Sequence, residues 1–183
     1  ERAAPASDMA LREIGKMPDG YSKANALTAL GHLTRQLSET LPQSEVSLRK
    51  TAHTALSQAM QLTDHLKDPF LSSCAHGYMG RLYEAEEQYD DAMKLTRSAV
   101  FFARQKNLHE ILYRWQWQLG RLFKAKGDIG NATGVYQAAL NTLDAEMNPV
   151  RRHLSDGYRS LGDTFEDQVK PVYLEFAELL LYQ

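Results

Sequence analysis

Gly80-Arg81-Leu82-Tyr83-Glu84-Ala85 reappears forty positions later as Gly120-Arg121-Leu122-Phe123-Lys124-Ala125. The echo continues downstream, where Ala92 and Ala99 return as Ala132 and Ala139. The same offset taken backwards from Ala92 and Ala99 lands on Ala52 and Ala59. The matching glycine is Gly31, nine residues further upstream than the period requires, so the first unit carries an insertion of about nine residues, placed within 37–45. Self-similarity at a fixed period of this length is the signature of stacked supersecondary units, none of which can bury its apolar face alone. Glycine midway along one helix lets a second helix approach. The alanine twelve positions later is expected to face it, and the aromatic three residues after the glycine (Tyr83, Phe123) to fill the space beside it.

The text between these marks is helical. Apolar residues recur at spacings of three and four, as in Leu27, Leu30, Leu33, Thr34 and Leu37, in Met79, Leu82, Tyr83 and Glu86, or in Leu112, Trp115, Leu119, Leu122 and Phe123. Breaks fall at Pro18-Asp19-Gly20, Leu41-Pro42, Asp68-Pro69, Gly127-Asp128, Asn148-Pro149 and Lys170-Pro171. The expected helices are 8–17, 21–40, 45–66, 70–86, 89–106, 108–126, 128–146, 149–160 and 166–182. Val and Ile together number nine in 183 residues, too few for a sheet protein. The expected fold is therefore all-α: a helical-repeat solenoid of antiparallel pairs. It comprises a lead-in over 1–20, three pairs over about 21–68, 69–107 and 108–147, and capping helices over 148–183. Val172, Tyr173, Phe176, Leu179 and Leu180 form the apolar stripe expected to seat the last helix as a cap.

Composition narrows function. Apolar residues make up 43% and charged residues 24%, an ordinary globular mixture. A net charge of −2 lacks the footprint of a general nucleic-acid binder. No apolar run approaches the ~18 residues that span a membrane. The one cysteine, Cys74, excludes an internal disulfide and a cysteine-cluster zinc site. Cys74 and His76 are two apart and so fall on different helix faces, and the six histidines show no metal-ligand spacing. Gly127-Asp128-Ile129-Gly130 lies between helices rather than after a strand, so it reads as a helix-ending glycine with Asp128 capping the next helix. The carboxylates around Glu84–Asp91 read as a solvated turn with Asp90 and Asp91 in a helix's first turn. No catalytic residue, cofactor or metal is expected.

The repeat resembles the tetratricopeptide repeat. The resemblance rests on Leu30-Gly31, Met79-Gly80 and Leu119-Gly120, on Tyr83 and Phe123, on Ala92, Ala99, Ala132 and Ala139, and on Tyr136 between the last two. The departures are Thr34 at the first aromatic position, Glu87-Gln88 in place of Gly127-Asp128, no helix-ending proline, and the forty-residue period. A narrower stretch, 112–121 with 169–181, resembles the repeat region that precedes CHAT domains, caspase-like peptidases found mostly in bacteria. The chain opens without Met and stops in an apolar stretch, so it is expected to be a piece of a longer protein, with the peptidase's catalytic residues beyond residue 183.

In this repeat family the first helix of each pair lines a concave groove. The resemblance places Asn25, Thr28, His32 and Arg35, then Cys74, Gly77, Arg81 and Glu84, then Arg114, Trp117, Arg121 and Lys124 along it. Five cations stand against one anion there, in a chain whose total is negative. Such segregation favours a protein or peptide ligand bearing carboxylates. The two-carboxylate clamp of co-chaperone relatives is not matched, since Thr28, His32 and Tyr78 hold its places. Trp115 and Trp117 cannot share a face. Trp117 is expected to project to the groove and Gln116 to meet the partner helix, although both indoles packed between pairs is an open alternative. The expected function is a non-catalytic interaction module, the sensor or scaffold arm of a CHAT-type protein, binding an acidic segment or the domain that follows. Its rivals are a structural array that oligomerises through exposed ends and, less favoured, an enzyme in its own right.

Overall fold

The computed structural model describes the backbone of residues 3–154 and 159–181, and side chains over 3–145 and 169–181. Among the described residues there are eight α-helices, one 3-10 turn and no strand. They are α1 (Ala3–Gly15), α2 (Tyr21–Thr40), α3 (Glu45–Leu66), α4 (Pro69–Ala85), α5 (Tyr89–Gln105), α6 (His109–Ala125), α7 (Ile129–Leu154) and α8 (Arg159–Leu181). None of them is long and apolar enough to cross a membrane. The chain divides into two compact units, one ending at Lys106 and one beginning at Asn107.

In the first unit α2 packs along α3 and α4 along α5, with α1 against α2 and α3. Its core includes two clusters. Leu27, Ala55, Ala59 and Ala75 pack with Leu11, Ile14 and Leu30, while Ala52, Leu56, Met79 and Leu82 pack with Tyr78, Tyr83 and Leu95. The stripe that α2 buries is not the leucine stripe expected from spacing. Its buried residues are Ala24, Leu27, Thr28, Gly31, Thr34, Arg35 and Ser38, whereas Leu33 and Leu37 are exposed. Small and hydroxylated residues let α3 come close, and Thr28 and Thr34 satisfy their hydroxyls on the Ala24 and Leu30 carbonyls. A methyl group at Gly31 would run into the Leu56 side chain.

In the second unit α6 packs along α7, and α8 packs on α7. A Cβ at Gly120 would lie 2.7 Å from the Tyr136 ring, well inside contact distance. Leu56 and Tyr136 each stand four residues after a repeat alanine (Ala52, Ala132). The residue that fills the glycine's space is thus one turn beyond the alanine expected to face it. The repeat alanines Ala52, Ala59, Ala92, Ala99, Ala132 and Ala139 are all fully buried, and Gly80, like Gly31 and Gly120, is buried too.

The nine-residue insertion is shared out. Relative to α4 and α5, α2 runs four residues further past its glycine, the connection is one residue longer, and α3 starts four residues further ahead of its alanine. Each helix of that pair therefore gains about one helical turn. Two expected breaks are absent. α7 continues through Asn148-Pro149 to Leu154, and α8 contains Pro171. Proline removes one donor and crowds the preceding turn, but it does not forbid a helix. On α8, Val169 and Val172 are both buried and hold the helix down on either side of Pro171.

The helix ends follow a rule that the glycines alone did not reveal. Lys67 (φ 52), Glu87 (φ 59), Asn107 (φ 51) and Gly127 (φ 76) are left-handed, and they recur at every twentieth position. α4, α5 and α6 are each 17 residues long, separated by three-residue joints. At two of these joints the bonding is the same. The Gln88 and Asp128 amides donate to the Tyr83 and Phe123 carbonyls, both at 2.9 Å, and the Glu87 and Gly127 amides donate to Glu84 and Lys124. This closes the helix with a left-handed residue and a six-to-one bond. Asp68 and Asp128 then cap the helices that follow, accepting from the Leu71 and Asn131 amides at 2.9 and 3.2 Å.

Candidate functional site

The four groove positions on each first helix are related by spacings of three, seven and ten residues, so they share a face. Their surroundings differ between helices. On α2, Asn25 is exposed and His32 half-buried, but Thr28 and Arg35 are buried. The Arg35 guanidinium pairs with Glu39 on its own helix, so its charge is spent within α2 rather than presented to solvent. His32 stacks on Tyr78 with ring centroids 4.0 Å apart. On α4, Cys74 and Gly77 are buried and Arg81 and Glu84 are half-buried. Only on α6 does the whole row Arg114, Trp117, Arg121 and Lys124 stay partly open.

The α6 row is ordered by aromatic rings. The Arg121 guanidinium lies over the Trp117 ring, 4.8 Å from its centroid. A planar cation on an indole face is attracted by the ring quadrupole. Arg114 is 5.7 Å from the Tyr113 centroid and donates from Nε to the Tyr113 hydroxyl at 3.2 Å. Trp115 is fully buried, and Gln116 accepts from the Thr142 hydroxyl of α7 at 2.8 Å, the partner-helix contact its position implied.

Trp117 has a partner that spacing did not foretell. Its indole Nε1 donates to Glu175 Oε2 on α8 at 2.7 Å, and the Tyr136 hydroxyl donates to the same oxygen at 2.8 Å. Phe176 stacks near the Tyr136 ring at 6.0 Å, and Leu179 is buried with Ala132 and Tyr136. The stripe by which α8 docks is thus Val169, Val172, Phe176 and Leu179, while Tyr173 and Leu180, expected in it, are exposed. Tyr173 instead reaches Asp144 with its hydroxyl at 3.3 Å. Glu175 stands on a different helix, far down the chain from Trp117 and beyond the reach of any local pattern.

Elsewhere, the first unit has an open cleft of about 480 Å³ floored by Met60, Met79 and Leu95 and edged by His53, Asp64 and Lys94. Lys94 is engaged by Asp91 at 2.9 Å, which raises its pKa. Among the described residues no group of three potential metal ligands is clustered.

No protein-family model matches the chain, and no curated protein matches it. Among solved structures, the chain is similar to the crystal structure of BtubC (BKLC) from P. vanneervenii, at 19% identity and a TM-score of 0.63. The alignment covers 79% of this chain and 57% of that one, so the chain spans little more than half of the structure it resembles. A likeness at this identity is one of fold, and the fold shared is helical.

Proposed function

We propose that the chain is a non-catalytic helical-repeat module of tetratricopeptide type, built of antiparallel pairs, that binds an acidic protein or peptide segment. The observation that carries this reading is the α6 row. Arg114, Trp117, Arg121 and Lys124 are all partly open, and the indole N–H at its centre is already occupied by a carboxylate. A basic, aromatic helix face that binds one carboxylate is chemically suited to bind another. In the wider proposal the module is the sensor arm of a CHAT-type protein, and the acidic segment belongs to a partner or to the domain that follows. Arg81 holds the position on α4 equivalent to Arg121 in the sequence repeat.

The test is the triple variant Arg81→Ala, Arg114→Ala and Arg121→Ala, titrated with an acidic peptide. Each charged hydrogen bond lost from a shielded contact weakens binding by about 1.5–3 kcal/mol, and far less from an open one. Unchanged affinity with intact ellipticity removes the α6 row as the binding surface. A structural array is the second reading, favoured by the exposed Leu174, Leu180 and Leu181 of α8. A molar mass in solution that rises with concentration would favour it.

A further inference from the structure

The α6 face offered above to an acidic segment is contested from within the second unit. Glu175 places a carboxylate oxygen 2.7 Å from the Trp117 indole nitrogen, and Arg121 lies on the same ring. Among the described side chains of α8, one face is buried and the other is open. Val169, Val172 and Leu179 are buried, whereas Lys170, Pro171, Leu174, Ala177, Glu178, Leu180 and Leu181 are exposed. Within that helix Pro171 has no N–H to donate to the preceding turn, so the backbone ladder is interrupted there. Beyond the interruption, the contacts of the stretch 173–181 include the fully buried Leu179 together with Phe176, Glu175 and the Tyr173 hydroxyl.

We propose that this stretch of α8 is a displaceable arm that occupies the binding face with its own carboxylate. Glu175 stands where a ligand carboxylate would stand, and an acidic segment that engages Trp117 and Arg121 lifts the arm about Pro171. α6 and α7 also contact each other directly, with Gly120 against the Tyr136 ring, so the pair keeps packing of its own when the arm leaves. The inference rests on the proposed function and adds its regulation: apparent affinity is the intrinsic affinity reduced by the fraction of molecules whose arm is docked.

The experiment uses the whole chain and N-acetyl-hexaglutamate as probe, with wild type, Glu175→Gln and Leu179→Ala compared. Glu175→Gln keeps the shape and removes the charge. Leu179→Ala loosens the arm from its apolar side without altering charge near α6. Glu175→Gln is expected to bind the probe about five-fold more tightly than wild type and Leu179→Ala about thirty-fold or more, as docking weakens by the difference between a charged and a neutral hydrogen bond or by one truncated side chain. Saturating probe is expected to raise amide exchange in 173–181 of wild type. Tighter binding by Glu175→Gln alone would reveal simple charge repulsion and overturn the arm. Equal affinities in all three proteins with unchanged exchange would make α8 a fixed cap and leave the proposed function standing. No binding by any of them would overturn both.

Discussion

Glu87 carries a side chain where the chain, one period later, has glycine. It adopts the left-handed conformation that Gly127 adopts one period later, with the same pair of closing hydrogen bonds, but carries a Cβ in a region that disfavours one. Glu87→Gly is expected to raise stability by about 0.5–1 kcal/mol, because relief of the backbone outweighs the entropy glycine adds to the unfolded chain. A denaturant midpoint that falls would show that the Glu87 side chain supports the turn. Asp128 offers a pH test. Its pKa is lowered, first by the Asn131 side-chain amide, which donates at 2.7 Å, and then by the Asn131 backbone amide. A carboxylate depressed in the folded state contributes stability above its unfolded pKa and loses it as pH falls through its folded value. The melting-temperature gap between wild type and Asp128→Ala should therefore be full at neutral pH and close below the ordinary carboxylate range. A gap that persists in strong acid would assign it to helix propensity instead.

At the scale of elements, α8 separates what spacing can tell from what it cannot. Leu179 and Leu180 are neighbours, and each extends an apolar stripe in the sequence, yet one is 1% exposed and the other 48%. Leu179→Ala is expected to cost about 2–5 kcal/mol and Leu180→Ala less than about 0.5 kcal/mol, read from urea midpoints. Similar losses at both sites would mean that α8 docks in another rotation. The boundary between α2 and α3 follows from the sequence because Pro42 has no N–H to continue the ladder of α2, and a single 3-10 turn over Pro42–Ser44 leads into α3. Asn148-Pro149 misled because proline weakens a helix without ending it. The face of α2 was misread for a related reason: large residues attract attention, but close helix contact selects small ones. Of the site, the α6 row was legible as spaced charge, whereas its carboxylate partner lies on a helix whose docking only tertiary structure specifies.

At the scale of the molecule, the recurring left-handed joints have a genetic consequence. Residues 67, 87, 107 and 127 occupy equivalent places in successive joints, so any cut made at the same offset within two alternate helices leaves ends that match in phase. A second copy of 87–126 inserted after Lys126 would add two helices of the length of α5 and α6 and carry its own stop signals with it. The enlarged chain is expected to fold with correspondingly greater far-ultraviolet ellipticity and one soluble species; aggregation would show that the forty-residue block is not exchangeable. Unequal crossing-over between such blocks lengthens or shortens the reading frame by whole periods without a scar at the seam. The longer pair of α2 and α3 is out of step with such a block by nine residues, so a seam made there would not match in phase.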